Sequence, residues 1–151
     1  MGAPMGSDAV AEAMRAQDRR RFLPPEVADD HHLDQPLPIG HGQTNSQPST
    51  VAAMLRLLDP FPGMRVLDVG SGSGWSSAIL GELGGPTSQV HAVELVPDLV
   101  ERSRTAITQP WVHVHLAEPG TLGLPRSAPF DRILVSAMAD ELPEELVDHL
   151  A

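Results

Sequence analysis

The stretch VLDVGSGSGW (residues 66–75) runs four apolar or acidic residues straight into glycines at 70, 72 and 74. A short apolar run that ends in glycines reads as a buried strand followed by a tight turn. Trp75 to Leu83 then reads as a helix, stopped by Gly84-Gly85-Pro86. The unit recurs as strand QVHAVEL (89–95), helix 98–107 with Leu99, Arg102, Ser103 and Ala106, and strand VHVHL (112–116). FDRILVSAM (130–138) reads as a fourth strand and Leu142 to Leu150 as a closing helix. Strands alternating with helices predict an α/β fold with a parallel sheet. With three Phe, two Trp and no Tyr, the core is expected to be aliphatic layers on that sheet. A length of 151 residues suits a single domain.

Upstream, residues 8–21 read as a helix with Val10, Ala13, Met14 and Gln17 on one side and Arg19-Arg20-Arg21 as helix-end charge. Pro24 to Pro48 is rich in proline and acid, too irregular for a regular element, and reads as a long loop. A helix follows from about Ser46–Pro48, with Val51, Met54, Leu55 and Leu58 at helical spacing. The domain thus divides into an N-terminal helix and loop (1–48) and a βα core (49–151).

Charge and composition exclude several functions. Ten Lys+Arg, all of them arginine, stand against twenty Asp+Glu, for a net charge of −10. So acidic a chain is not expected to bind nucleic acid, where affinity comes from neutralising phosphates. It has no cysteine for disulfides, thiolate catalysis or zinc. No leader-like start or run of eighteen apolar residues occurs, so no membrane association and a cytoplasmic location are expected. Asp29, Asp30, His31 and His32, or His113 with His115, do not reach a ligand pattern, so no metal site is expected. The serines at 71, 73, 76 and 77 do not form the elbow of a serine hydrolase.

The glycine turn lets backbone approach a ligand closely, with helix N–H groups directed at it. A dinucleotide fingerprint would need a third glycine at Trp75, and a triphosphate loop would need a lysine. The pattern is instead D-x-G-x-G-x-G from Asp68 to Gly74, with Glu94 twenty residues beyond at the end of the next strand. This resembles class I S-adenosylmethionine-dependent methyltransferases. The resemblance implies a doubly wound, Rossmann-like sheet and S-adenosylmethionine held by Asp68, Gly70, Ser71, Gly72, Ser73, Gly74, Glu94 and Leu95, with Glu94 at the ribose.

A second segment narrows the family. LPIGHGQTNSQPSTVAAML (37–55) resembles the substrate loop of protein-L-isoaspartate O-methyltransferases, which carry LPIG-x-GQT-x-SQP. RRRFLPPEV, PFPGMRVLDVGSGSGW, GTLGLP, APFDRILVSA and LPEELVDHL follow the same family in order, so the resemblance covers about residues 10–151. It implies methyl transfer to the free carboxylate of isoaspartyl residues in damaged proteins or peptides. Ile39, Gln43, Thr44 and Ser46 would form the substrate side. Ser46 matches the family's active-site serine; as a helix N-cap it would be worth about 1 kcal/mol, and the two roles are compatible.

Three departures stand out. Asn45 replaces an apolar residue, and His32 or Leu33 falls where an aromatic is common. Glu118-Pro119-Gly120 stands where the family has Gly-Asp-Gly at the adenine. Either Glu118 and Gly120 serve the adenine, or that contact is lost. The chain is also expected to be shortened at both ends relative to the family, with strand order 3-2-1-4 and the fourth strand as an open apolar edge, suited to a partner chain or self-association. The alternatives are a related carboxyl methyltransferase acting on a specific peptide Asp, or a non-catalytic cofactor-binding chain dependent on a partner.

Overall fold

The computed structural model describes residues 8–136 and 143–151. In chain order it contains α1 (Ala9–Ala16), a 3₁₀ turn (Arg19–Phe22), a second 3₁₀ turn (Ala28–Asp30), β1 (Leu37–Gly40), β2 (Gln43–Asn45), α2 (Pro48–Leu58), β3 (Arg65–Val69), α3 (Trp75–Gly84), β4 (Gln89–Glu94), α4 (Pro97–Ala106), β5 (Val112–Leu116), a third 3₁₀ turn (Pro125–Ser127), β6 (Arg132–Val135) and α5 (Glu144–Val147). The end of the expected strand 130–138 and the start of the expected helix 142–150 lie outside the described residues.

The main sheet has the order β5-β4-β3-β6, all parallel, which is the expected 3-2-1-4. Parallel neighbours need crossovers, and α3 and α4 supply two of them. Even-numbered strand residues (Val66, Val90, Val112 and Leu134) face a core shared with α1, α2 and α3. Ala92 and Val114 on the same face take Val100 of α4. The opposite face, with Leu67, Val69 and Val93, is covered by Leu124 and Phe130 of the segment before β6 and by Leu146 of α5. At the outer edge of β6, Phe130 pairs in parallel with Leu150, and Ala151 N donates to Phe130 O at 2.8 Å.

Two upstream expectations need correction. The first helix ends at Ala16 because Asp18 Oδ1 accepts from Arg20 N at 3.0 Å, a local turn that competes with the helical bond. The segment 24–48 is not irregular throughout: β1 and β2 pair antiparallel, Leu37 with Asn45 and Pro38 with Thr44. Leu37 and Ile39 point inward and join Leu23 and Leu99, so burial of alternate residues stabilises the hairpin.

On the second face of the sheet, His91, His113 and His115 stack, with His91 Nδ1 3.0 Å from His115 Nε2. Burial first, then the neighbouring His115, push His91 down to about 4, and burial lowers His115 as well. A histidine depressed on folding contributes stability that is complete above its unfolded value of 6.5 and is lost as pH falls through 4. Thermal melts between pH 7 and pH 4 are expected to show a loss of the order of 2 kcal/mol that His91→Gln flattens. A parallel fall in both proteins would show that His91 is not its source.

Candidate active site

A cleft of about 680 Å³ opens at the C-terminal ends of the strands, between the β1–β2 hairpin, the start of α2, the glycine loop and the end of β6. Its walls are Gly42 to Ser46 on one side and Gly70 to Ser73, Trp75 and Ser76 on the other, closed by Thr50, Val51, Met54, Val135 and Ser136. The sequence expectation thus brings Gln43, Thr44 and Ser46 together with Gly70, Ser71, Gly72 and Ser73. Thr50, Met54 and Ser136 complete the walls, and sequence reasoning missed them. Ser136 carried a signal, since it lies near the C-terminal end of the expected fourth strand.

The loop is held from behind. Gly70 N and Ser71 N donate to Val93 O, and Ser103 Oγ of α4 donates to Gly72 O at 3.0 Å. Asp68 lies fully buried beneath it rather than in the cleft wall; its carboxylate accepts from Ser76, Ser77 and Ser136 hydroxyls at 2.6, 2.8 and 2.7 Å. Burial pushes its pKa up, and the three hydroxyls oppose that rise. Asp68 is therefore a residue that positions Ser76 and Ser136, both of which line the cleft.

Glu94 is also buried; Oε1 accepts from Gly72 N at 2.8 Å and Oε2 from Val96 N at 2.9 Å. Each oxygen retains a lone pair for a hydroxyl. Leu95 is exposed, and Gly120 sits exposed in the turn after β5. Glu118 pairs with Arg126 at 3.4 Å and borders a smaller cavity of about 280 Å³ with Val93, Leu116 and Ala117. Glycine loop, Glu94 and Glu118 follow three neighbouring strands in turn.

On the hairpin side, Ile39 does not line the cleft. It is buried, and its Cδ1 lies 3.3 Å from where a Cβ on Gly72 would stand, so it packs hairpin against glycine loop. Ser46 is half-buried and is not the N-cap of α2: that position is Gln47, without a side-chain bond. Asp34 Oδ1 accepts from Ser49 N at 2.9 Å instead, and that bond holds the Asp34 carboxyl below its usual range. Capping is thus done from a distant loop, which leaves the Ser46 side chain to the cleft.

The reading of Arg19 as helix-end charge is overturned. Its side chain is buried; Nε donates to Asn45 Oδ1 at 2.6 Å, and Nη1 and Nη2 donate to the carbonyls of His31, Leu33, Gln35 and Ser46. Its guanidinium also lies over the Trp75 ring, 5.4 Å from the centroid. Trp75 is buried and donates from Nε1 to Gln17 O, so it packs beneath the cleft.

A cofactor fits this geometry. Ser71 Oγ and Ser73 Oγ are buried in the loop without a hydrogen-bond partner, and buried hydroxyls are rarely left so. A ligand rich in polar atoms at the loop would satisfy both. A parallel 3-2-1-4 sheet with such a loop after its first strand and an acid at the end of its second is the doubly wound cofactor-binding arrangement, and the D-x-G-x-G-x-G spacing of its loop places it with the class I methyltransferases.

Comparison with known proteins narrows this. The pattern of the protein-L-isoaspartate(D-aspartate) O-methyltransferase family matches residues 3–151. A protein-L-isoaspartate O-methyltransferase of Aeropyrum pernix is 48% identical over 149 residues, covering 96% of this chain and 57% of that protein. Among solved structures, a protein-L-isoaspartate O-methyltransferase superposes with a TM-score of 0.84 at 28% identity, over 96% of this chain and 48% of that one. A putative Plasmodium falciparum enzyme of the same description, in complex with S-adenosyl-L-homocysteine, gives 0.82 at 32% identity, over 96% and 72%. This chain belongs to the protein-L-isoaspartate O-methyltransferase family. It spans about half the length of the Aeropyrum relative and of the first of these structures.

Proposed function

We propose that this cleft transfers a methyl group from S-adenosylmethionine to the free carboxylate of isoaspartyl residues in damaged cytoplasmic proteins. The observation that carries the proposal is the facing of Thr44 and Ser46 against a glycine loop with two unpartnered hydroxyls. When bound, S-adenosylmethionine supplies an electrophilic sulfonium methyl. Ser71 and Ser73 would meet its polar end, Glu94 its ribose, and Glu118 the edge of its base.

The acceptor needs little acid–base help, because a carboxylate with a pKa of about 4 is already ionised at neutral pH. The chain's residues would hold the acceptor oxygen in line with the methyl that the bound group supplies, Thr44 and Ser46 on the carboxylate and Ser71 and Ser73 on the donor. The protein's part is geometry and exclusion of water. Ser46 and Thr44 hydroxyls orient the carboxylate, and the N-terminal amides of α2 add a favourable field. Ser46 acts as a hydrogen-bonding group and not as a covalent nucleophile.

The test is transfer of labelled methyl to an isoaspartyl peptide, with the aspartyl peptide as control. Base-labile ester on the isoaspartyl peptide alone is expected, and Ser46→Ala is expected to lower kcat/KM about ten-fold through loss of one hydrogen bond to a charged group. Ester on the aspartyl peptide would favour a different carboxylate substrate. Absence of both transfer and S-adenosylhomocysteine binding would overturn the proposal.

A further inference from the structure

We infer that Arg19 is the positioning residue for the acceptor side of the cleft, with Asn45 as its dedicated acceptor. The inference rests on the proposed transfer reaction. Arg19 touches neither reactant. It is buried, with its side chain behind Asn45, Ser46 and Trp75, three residues that line the cleft from opposite walls.

Each part of the guanidinium has a task. Nε is committed to Asn45 Oδ1, and Nη2 reaches the carbonyls of Gln35 at 2.8 Å and Ser46 at 3.2 Å. Nη1 reaches those of Leu33 at 2.9 Å and His31 at 3.2 Å. Carbonyls of 31, 33 and 35 belong to the segment leading into β1, and those of 45 and 46 to the segment leaving β2. One planar fork therefore closes both ends of the hairpin on itself and sets it against Trp75, the first residue of α3 after the glycine loop.

None of these contacts is to a carboxylate, and Asp34, the acid that acts on Arg19 through space, is engaged with Ser49 N. The hydrogen bonds of the buried cation go to carbonyl dipoles and Asn45, with the Trp75 ring beside it and Asp34 acting through space. The part of its charge that Asp34 does not offset favours an anion in the cleft ahead of Ser46, which is what a carboxylate acceptor requires. Arginine's fork cannot be replaced by lysine, whose ammonium cannot serve both ends of the hairpin at once. Asn45, where the resembled family has an apolar residue, supplies the acceptor for Nε in this chain.

Arg19→Lys and Asn45→Leu are the variants to compare with the parent chain. Both are expected to lower kcat for methyl transfer about 10- to 100-fold, the scale of a misplacement near 1 Å. S-adenosylhomocysteine affinity is expected to stay within about two-fold, because the glycine loop is held from α4 and β4 instead. Asn45→Asp, which keeps an acceptor for Nε but puts a carboxylate on the guanidinium, is expected to keep parental hydrogen exchange over residues 31–46 while raising KM for the isoaspartyl peptide. Amide hydrogen exchange over residues 31–46 is expected to quicken in the two disrupting variants and nowhere else. Unchanged kcat and exchange in Arg19→Lys and Asn45→Leu would overturn the inference, as would equal losses of kcat, cofactor affinity and melting temperature. If the parent transfers no methyl to the isoaspartyl peptide, the functional reading fails by itself. The exchange pattern and cofactor affinity then still decide whether Arg19 sets the hairpin.

Discussion

Replacing Gly74 by alanine is expected to destabilise the chain by about 3 kcal/mol, a fall in melting temperature of about 6–12 °C. Two effects add. Gly74 has φ +98°, a conformation that costs an L-residue about 1–2 kcal/mol. A Cβ there would also stand 3.0 Å from Ile107 Cδ1 and 3.1 Å from both Cβ and Oγ of Ser103. The Ile107 tip can turn aside, but Ser103 is fixed in α4, so helix and loop must separate. That separation strains the Ser103 Oγ bond to Gly72 O, and S-adenosylhomocysteine affinity is expected to fall with stability. Gly120→Ala is the control: its φ is +77° but no atom lies within 4 Å of the added carbon. Urea unfolding should show a much smaller loss for Gly120→Ala. Equal losses would leave strain alone as the cause and remove the packing argument.

The sheet was legible because its signals are local. Residues 66–69 run into Gly70, 89–95 carry Glu94 near their end and 112–116 alternate valine with histidine, and the spacing between them leaves room for helical crossovers. The glycine loop and Glu94 were legible for the same reason. What was not legible depends on partners distant in sequence. Arg19 looked like the charge at a helix end until Asn45, twenty-six positions away, supplied its acceptor. Ser46 looked like an N-cap, and only the fold reveals that Asp34 supplies the capping bond. The hairpin is built on a local pattern: in Leu37-Pro38-Ile39-Gly40 burial alternates, with Gly40, His41 and Gly42 all at positive φ in the turn. Proline at 38 argued against a strand, yet β1 belongs to a two-stranded hairpin with an open side that tolerates it. Ile39 was assigned to substrate from the resemblance, and the fold assigns it to packing because inward alternation buries it.

Asp68 distinguishes a charge requirement from a hydrogen-bond requirement. Removal of its carboxylate in Asp68→Ala leaves the hydroxyls of Ser76, Ser77 and Ser136 without their acceptor around a small void, and a loss of about 3–4 kcal/mol is expected. Asp68→Asn is expected to behave differently. The amide oxygen can take the place of Oδ2 and accept from Ser76 and Ser77, while the amide N–H can donate to Ser136 Oγ. Its stability is therefore expected within about 1 kcal/mol of the parent. The pH dependence adds a sign. A carboxyl raised on folding favours the fold most when protonated, so its contribution is complete below the unfolded pKa of 3.8 and is lost as pH rises through the folded value. Asp68→Asn removes that loss, so its stability relative to the parent should improve as pH rises from about 4 towards neutrality. A parent-like pH profile in Asp68→Asn would mean that the three hydroxyls hold the carboxylate charged without cost. In that case burial does not set its ionisation, and the serine cluster does.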